Sequence, residues 1–161
     1  MLRRDSQGAG PLLLVCSSGG HLLQLLALRP AWERFDRVWI AFDKSDTRSL
    51  LAGERVIHAH GPTNRNIPNL LRNLRLARKV LADERPAAIL TTGAGLAVPF
   101  AWIGFLYGVR TVYVESLTRI EDLSLSARLV APVAGRLYVQ WPELAQSAPR
   151  RRFAGNVFAA R

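Results

Sequence analysis

What most constrains this chain is a regular alternation of short aliphatic or β-branched runs with segments of helical period. Runs at 12–16, 38–42, 56–59, 88–91, 111–115 and 137–139, with a shorter one near Phe153, have the length of strands. Between them, segments 21–27, 47–51, 69–83, 96–107, 125–133 and 143–146 read as helices. Several of the runs are apolar without alternation, the pattern of strands covered on both faces. Alternating strands and helices joined by right-handed crossovers predict an α/β, doubly wound, mostly parallel Rossmann-like sheet. Ligands of such sheets bind at the carboxyl ends of the strands, so the residues just after each strand are the informative ones.

At 161 residues there is room for one domain, 1–161, with residues 1–10 expected to be flexible. Hydrophobic residues at 49% and charged residues at 21% supply a full core. The 22 basic residues against 12 acidic ones give a net charge of +10, which draws the chain towards phosphate. The basic residues are spread along the sequence without a nucleic-acid motif, so the expected partner is an anionic membrane surface or a phosphorylated substrate and no nucleic acid. Cys16 is the one cysteine, which rules out an internal disulfide and reads as a buried structural thiol. With no Cys/His cluster, no metal is expected, and the setting reads as reducing and cytoplasmic. The apolar stretch 11–15 is too short for a signal peptide. The uncharged stretch 93–109 falls short of the roughly 20 residues of a spanning helix and carries Pro99, so it reads as a buried helix.

The loops at the strand ends carry the chemistry. After the first strand comes Ser17-Ser18-Gly19-Gly20-His21, where two glycines permit a tight turn and close backbone approach to a ligand. The helix that follows offers unpaired N–H groups to a phosphate or pyrophosphate, or the segment is a plain turn with His21 as a polar cap. His21 at the helix mouth is a candidate acid or base. After the fourth strand comes Thr92-Gly93-Ala94-Gly95, aimed at the same sheet edge, so a ligand with two phosphates would explain both loops. Glu115, ending the next run, is a candidate to accept sugar hydroxyls or to position a base, and Arg119 to face a phosphate, with Ser116 and Thr118 between them. The alternative is a loop carboxylate paired with Arg119. The loop after the third strand holds Asn64, Arg65 and Asn66 between Pro62 and Pro68 as candidates to contact the ligand or its diphosphate, or as a polar capping loop, with Asn69 a plausible N-cap for the next helix. That helix sets Leu70, Leu71, Leu74, Ala77, Val80 and Leu81 on one stripe, with Arg72, Arg75, Arg78 and Lys79 largely opposite. The dinucleotide fingerprint G-x-G-x-x-G is absent, which argues against a nicotinamide or flavin; no cofactor is expected.

In order, Ser18-Gly19-Gly20-His21, Pro62-Thr63-Asn64-Arg65-Asn66, Thr92-Gly93-Ala94-Gly95, Glu115-Ser116-Leu117-Thr118-Arg119 and Val139-Gln140-Trp141 with Gly155-Asn156 resemble one family. It comprises bacterial capsule and exopolysaccharide glycosyltransferase subunits of the PssD type. Its eukaryotic relative is the membrane-recruiting subunit of the dolichol-pathway UDP-N-acetylglucosamine transferase. The likeness runs from Leu12 to Val157. A more distant one is to the N-terminal half of the peptidoglycan N-acetylglucosaminyltransferase. These resemblances imply one half of a GT-B enzyme, with Gly19, Gly20, His21, Gly93, Ala94, Gly95 and Glu115 lining the acceptor site. They also imply a separate donor-binding (UDP-sugar) glycosyltransferase subunit as partner and a polyprenyl-diphosphate sugar as acceptor. The dolichol-pathway relative typically has an N-terminal membrane helix, whereas here the first strand comes almost at once. Membrane contact is therefore expected to be peripheral, on the inner face of the cell membrane. The expected function is acceptor binding in an inverting transferase, with His21 or Glu115 as the base; the alternative is a non-catalytic adaptor for the donor-binding subunit.

Overall fold

A computed structural model describes residues 10–146 and 150–159. The expectation for residues 1–10 therefore lies, up to residue 9, outside the described residues. The strands are β1 (Leu12–Val15), β2 (Arg37–Phe42), β3 (Val56–Ala59), β4 (Ala88–Thr91), β5 (Arg110–Val114), β6 (Arg136–Val139) and β7 (Arg151–Phe153). They form one sheet in the order β3-β2-β1-β4-β5-β6-β7, with every neighbouring pair parallel. This is the doubly wound α/β fold expected from the sequence. β1 and β5 each end one residue early. Cys16 and Glu115 still donate their N–H groups to Ile40 and Tyr138 (3.1 and 2.8 Å), so each is the pivot at which a strand turns into its loop.

The helices are α1 (Gly20–Ala27), α2 (Arg29–Trp32), α3 (Ser45–Leu50), α4 (Ile67–Glu84), α5 (Ala97–Leu106), α6 (Leu125–Val130) and α7 (Pro142–Gln146). The four-residue α2 is too short to show a period and is absent from the sequence reading. It starts beside Pro30 and buries Trp32, whose indole N–H donates to the Leu25 carbonyl at 2.9 Å. α4 begins two residues before its expected start because Asn66 is the N-cap, its Oδ1 accepting from the Asn69 N–H at 2.9 Å. Asn69 is instead a buried residue of the first turn.

Alternate residues of each central strand feed opposite layers, which is why the runs are apolar throughout. Leu13, Val15, Val38 and Ile40 pack against Ala77, Val80 and Leu81 of α4 and Phe100 of α5. Leu14, Trp39, Ala41 and Val114 pack on the other side against Leu22, Leu25 and Trp32. Further along, Tyr113, Leu137 and Val139 meet Ala97, Ala101, Ala127, Val130 and Leu144. Helices α1 to α3 leave part of their side uncovered, and a groove of ≈ 700 Å³ opens there over Leu90, Val112, Val114 and Tyr138. Ala27, Leu28, Pro30 and Ala31 form part of its wall on one side and Ala154 to Val157 on the other.

The stripe on α4 is only partly as expected. Ala77, Val80 and Leu81 are buried, but Leu70 and Leu71 are exposed, and Asn69 and Asn73 take the inward positions. Asn73 reproduces a backbone pairing: its Oδ1 accepts from the His60 N–H (2.9 Å) and its Nδ2 donates to the His60 carbonyl (2.8 Å). Arg72, Arg75, Arg78 and Lys79 are exposed. On the same layer Trp102, Phe105, Leu106, Leu125 and Leu129 also remain exposed. Among the described residues no helix is long and apolar enough to cross a membrane.

Candidate functional site

β1 and β4 are neighbours, yet their following helices pack on opposite faces of the sheet. The crevice between such diverging connections is where open α/β sheets take their ligands. Both glycine loops lie there, and they are joined by a reciprocal clasp. His21 Nδ1 donates to the Thr92 carbonyl at 2.8 Å, and Thr92 Oγ1 donates to the His21 carbonyl at 2.7 Å. Because a carbonyl only accepts, this contact places the proton of a neutral His21 on Nδ1. The lone pair is then on Nε2, the arrangement of a general base. The first turn of α1 has no side-chain cap.

The second loop is packed tightly. Gly93 has φ 106°, and a Cβ there would lie 2.5 Å from the Tyr113 hydroxyl. Its N–H donates to Thr91 Oγ1 at 3.1 Å, and Thr91 and Thr92 are fully buried. Ala94 follows at φ 66°, a left-handed conformation that costs a non-glycine residue about 1 kcal/mol or more. Burial, and secondarily the charge of Glu115, pushes the Tyr113 phenol up, so it stays protonated and shares a hydrogen bond with Ser124 Oγ at 3.3 Å.

A third loop reaches the same place. A Cβ on Gly95 would lie 2.9 Å from Thr63 Oγ1, so the β3–α4 loop abuts the second glycine loop. Asn69 Nδ2 holds this loop by donating to the Pro62 carbonyl at 2.8 Å. Asn64 and Arg65 are exposed on it, while Asn66 is used as the α4 cap.

Glu115 has no exposed surface. One carboxylate oxygen accepts from the Ser116 N–H (2.7 Å) and Ser124 Oγ (3.1 Å), and the other from the Ser124 N–H (2.8 Å). The carboxylate thus closes the 115–124 loop on itself and is not paired with Arg119. Ser116 Oγ and Thr118 Oγ1 share a hydrogen bond of 2.9 Å, and Thr118 and Arg119 are exposed at the loop's tip.

Two contributors escaped the sequence reading. Asp46, in the first turn of α3, accepts the Gly19 N–H at 2.7 Å and its own neighbour Thr47 N–H at 2.9 Å. In the sequence Asp46 stands at a helix start, where an acidic residue reads as ordinary helix-terminus chemistry and does not point to the glycine loop. Gln24, buried among leucines, donates to the Glu115 carbonyl at 2.8 Å and accepts from the Leu117 N–H at 3.1 Å. A lone amide in the run Leu22-Leu23-Gln24-Leu25-Leu26 was the available clue. Ser17 Oγ turns to the Ser18 carbonyl at 3.3 Å. Burial pushes the Cys16 thiol up, in keeping with a structural residue. Among the described residues no group of three or more His, Cys, Asp or Glu could hold a metal ion.

Residues 58–157 match the family described as "Oligosaccharide biosynthesis protein Alg14 like". The chain is 28% identical to the UDP-N-acetylglucosamine transferase subunit ALG14 of Candida albicans, over 89% of this chain and 76% of that one. The mouse protein of the same name is 25% identical over 91% of this chain and 82% of its own. Among solved structures, MurG of Acinetobacter baumannii superposes with a TM-score of 0.73 at 15% identity, over 89% of this chain and 45% of that one. The UDP-GlcNAc 2-epimerase of Methanocaldococcus jannaschii does so with a TM-score of 0.66 at 13% identity, over 90% and 45%. The chain thus spans about half the length of these structures, which share its fold, the Rossmann-like half of a GT-B architecture.

Proposed function

This chain belongs to the Alg14-like family of oligosaccharide biosynthesis proteins, and from that premise we propose that it binds the acceptor in a two-component, inverting UDP-sugar glycosyltransferase. The acceptor is a polyprenyl-diphosphate-linked sugar, the setting exopolysaccharide or capsule synthesis, and the donor is held by a separate partner subunit. The observation that carries this reading is the clasp between His21 and Thr92, which joins two glycine loops at the point where the sheet's connections diverge.

In this scheme backbone N–H groups of Gly20, Ala94 and Gly95 face the acceptor's diphosphate while Gly93 shapes the turn, its own N–H held by Thr91 Oγ1, and Asn64 and Arg65 approach from the third loop. Ser17, Ser18, Ser116, Thr118 and Arg119 border the acceptor sugar. The acceptor hydroxyl oxygen attacks the anomeric carbon of the donor as the bond to UDP breaks. Its proton passes to His21 Nε2 and UDP leaves with the bonding electron pair. Glu115 shapes the loop that borders the sugar. The exposed Trp102, Phe105, Leu106, Leu125 and Leu129, beside the basic face of α4, suit a peripheral seat on an anionic membrane, on the inner face of the cell membrane.

The test is His21→Ala in the complex reconstituted with its donor-binding partner, assayed on a polyprenyl-diphosphate sugar. Transfer should fall about 10²–10⁴-fold; near-normal transfer would remove the assignment. One observation favours a second reading, that of an adaptor which recruits the catalytic subunit. The Gly19 N–H is already taken by the Asp46 carboxylate, an internal stand-in for the anion the loop would otherwise bind. An adaptor predicts full activity in His21→Ala as long as the complex assembles.

A further inference from the structure

Two buried amides converge on one atom, the backbone carbonyl oxygen of Glu115. It accepts Gln24 Nε2 at 2.8 Å and Gln140 Nε2 at 3.2 Å. Both glutamines are 2% exposed, and each commits its other end to a different segment. Gln24 Oε1 accepts from the Leu117 N–H at 3.1 Å, and Gln140 Oε1 from the Val157 N–H at 2.9 Å. Trp141 Nε1 adds a bond to the Leu117 carbonyl at 2.7 Å. Buried amides are costly unless both ends are satisfied, and a satisfied network fixes geometry in a way apolar side chains of the same volume do not.

The segments so joined are not neighbours in sequence. Gln24 lies on α1 one turn after His21, at a spacing that puts both on one side of the helix. Gln140 follows β6 and, with Asn156 and Val157, lines the groove over Leu90 and Val112. A single carbonyl therefore ties the helix of His21, the 115–117 loop and the segment at 155–157 together.

We propose that Gln24 and Gln140 are positioning residues that couple the 155–157 segment to the His21 helix through the Glu115 carbonyl. The placing of His21 in the reaction rests on the function proposed above; the coupling itself does not. A displacement of the 155–157 segment reaches the helix of His21 through three hydrogen bonds, Val157 to Gln140, Gln140 to Glu115 and Gln24 to Glu115, and loss of either amide lets the imidazole and the 115–124 loop drift apart.

The test is nuclear magnetic resonance of the full chain, reading the His21 ring nitrogens and the amides of 115–124. Gln140→Met and Gln24→Met should each move these signals, and the double variant should move them by less than the sum. Val80→Ala, which opens the core on the opposite face of the sheet, supplies a destabilised control that leaves them in place. Gln140→Glu, which keeps the acceptor for Val157 but loses the donor, serves if the methionine variant does not fold. Unmoved His21 signals in the Gln140 variant, or equal movement in Val80→Ala, would overturn the coupling. In the reconstituted complex, kcat of each glutamine variant should fall by about tenfold or more with acceptor KM nearly constant. Unchanged kcat where His21→Ala abolishes transfer would overturn it too. Full activity in His21→Ala discards the function proposed for His21 and leaves the resonance experiment to decide the coupling.

Discussion

The two glycine loops use the same kind of residue at the same sheet edge and are built differently. In the first, a Cβ on Gly19 or Gly20 would meet nothing within 4 Å, and the loop is held from outside by the Asp46 carboxylate. In the second, Gly93 is wedged against Tyr113 and Gly95 against Thr63, and Ala94 carries a strained backbone. The first loop is an open surface with an amide committed to an internal anion. The second is a rigid wall of the crevice. Glycine in the first leaves open space beside the backbone; in the second it allows the protein's own packing.

The contrast is broken most directly by adding one methyl group to each loop. Gly93→Ala must push the Tyr113 hydroxyl aside and hold a left-handed backbone, so it should cost about 2–4 kcal/mol in urea denaturation. Gly20→Ala should stay within about 0.5 kcal/mol; similar losses at both sites would erase the distinction. Next in size is Glu115→Gln. The new amide turns a donor towards an N–H or hydroxyl that was accepted before, for a loss of about 1–3 kcal/mol in the same measurement. A neutral result would mean that the carboxylate does not close its loop.

Asp46→Asn probes the first loop at smaller cost, with stability within about 1 kcal/mol of the parent. Removing the competing charge should tighten pyrophosphate binding several-fold in titration calorimetry at low salt, and unchanged affinity would argue that the first loop does not face the diphosphate. The smallest effect is expected for Ala94→Gly. Relief of the left-handed strain, offset by the greater freedom of the unfolded chain, should leave a gain of no more than about 1 kcal/mol, read as a rise in Tm.

Much of this was legible in the sequence, and the exceptions share a cause. Strand runs such as 12–16 and 38–42 announce themselves because both faces are apolar, and the loops follow from Gly19-Gly20 and Gly93-Ala94-Gly95. Glu115 looked like a group open to substrate because its place after a strand says nothing about burial; Ser124, which occupies it, lies nine residues on. Asn69 looked like a cap because asparagine near a helix start usually is one, but Asn66 took the role and Asn69 turned inward to the Pro62 carbonyl. α2 has too few residues to show a period at all.

By itself the sequence determined the parallel sheet, the placing of both glycine loops at its carboxyl edge and the candidacy of His21, since these depend on local period and turn chemistry. Only the tertiary structure decided which partners each polar group would find. His21 meets Thr92 across 71 positions, Gln24 meets Glu115 across 91, and Asp46 meets Gly19 across 27. Hydrogen bonds between loops depend on the register of β1 against β4 and on the crossovers that bring distant segments to one edge. A linear pattern carries no information on those distances.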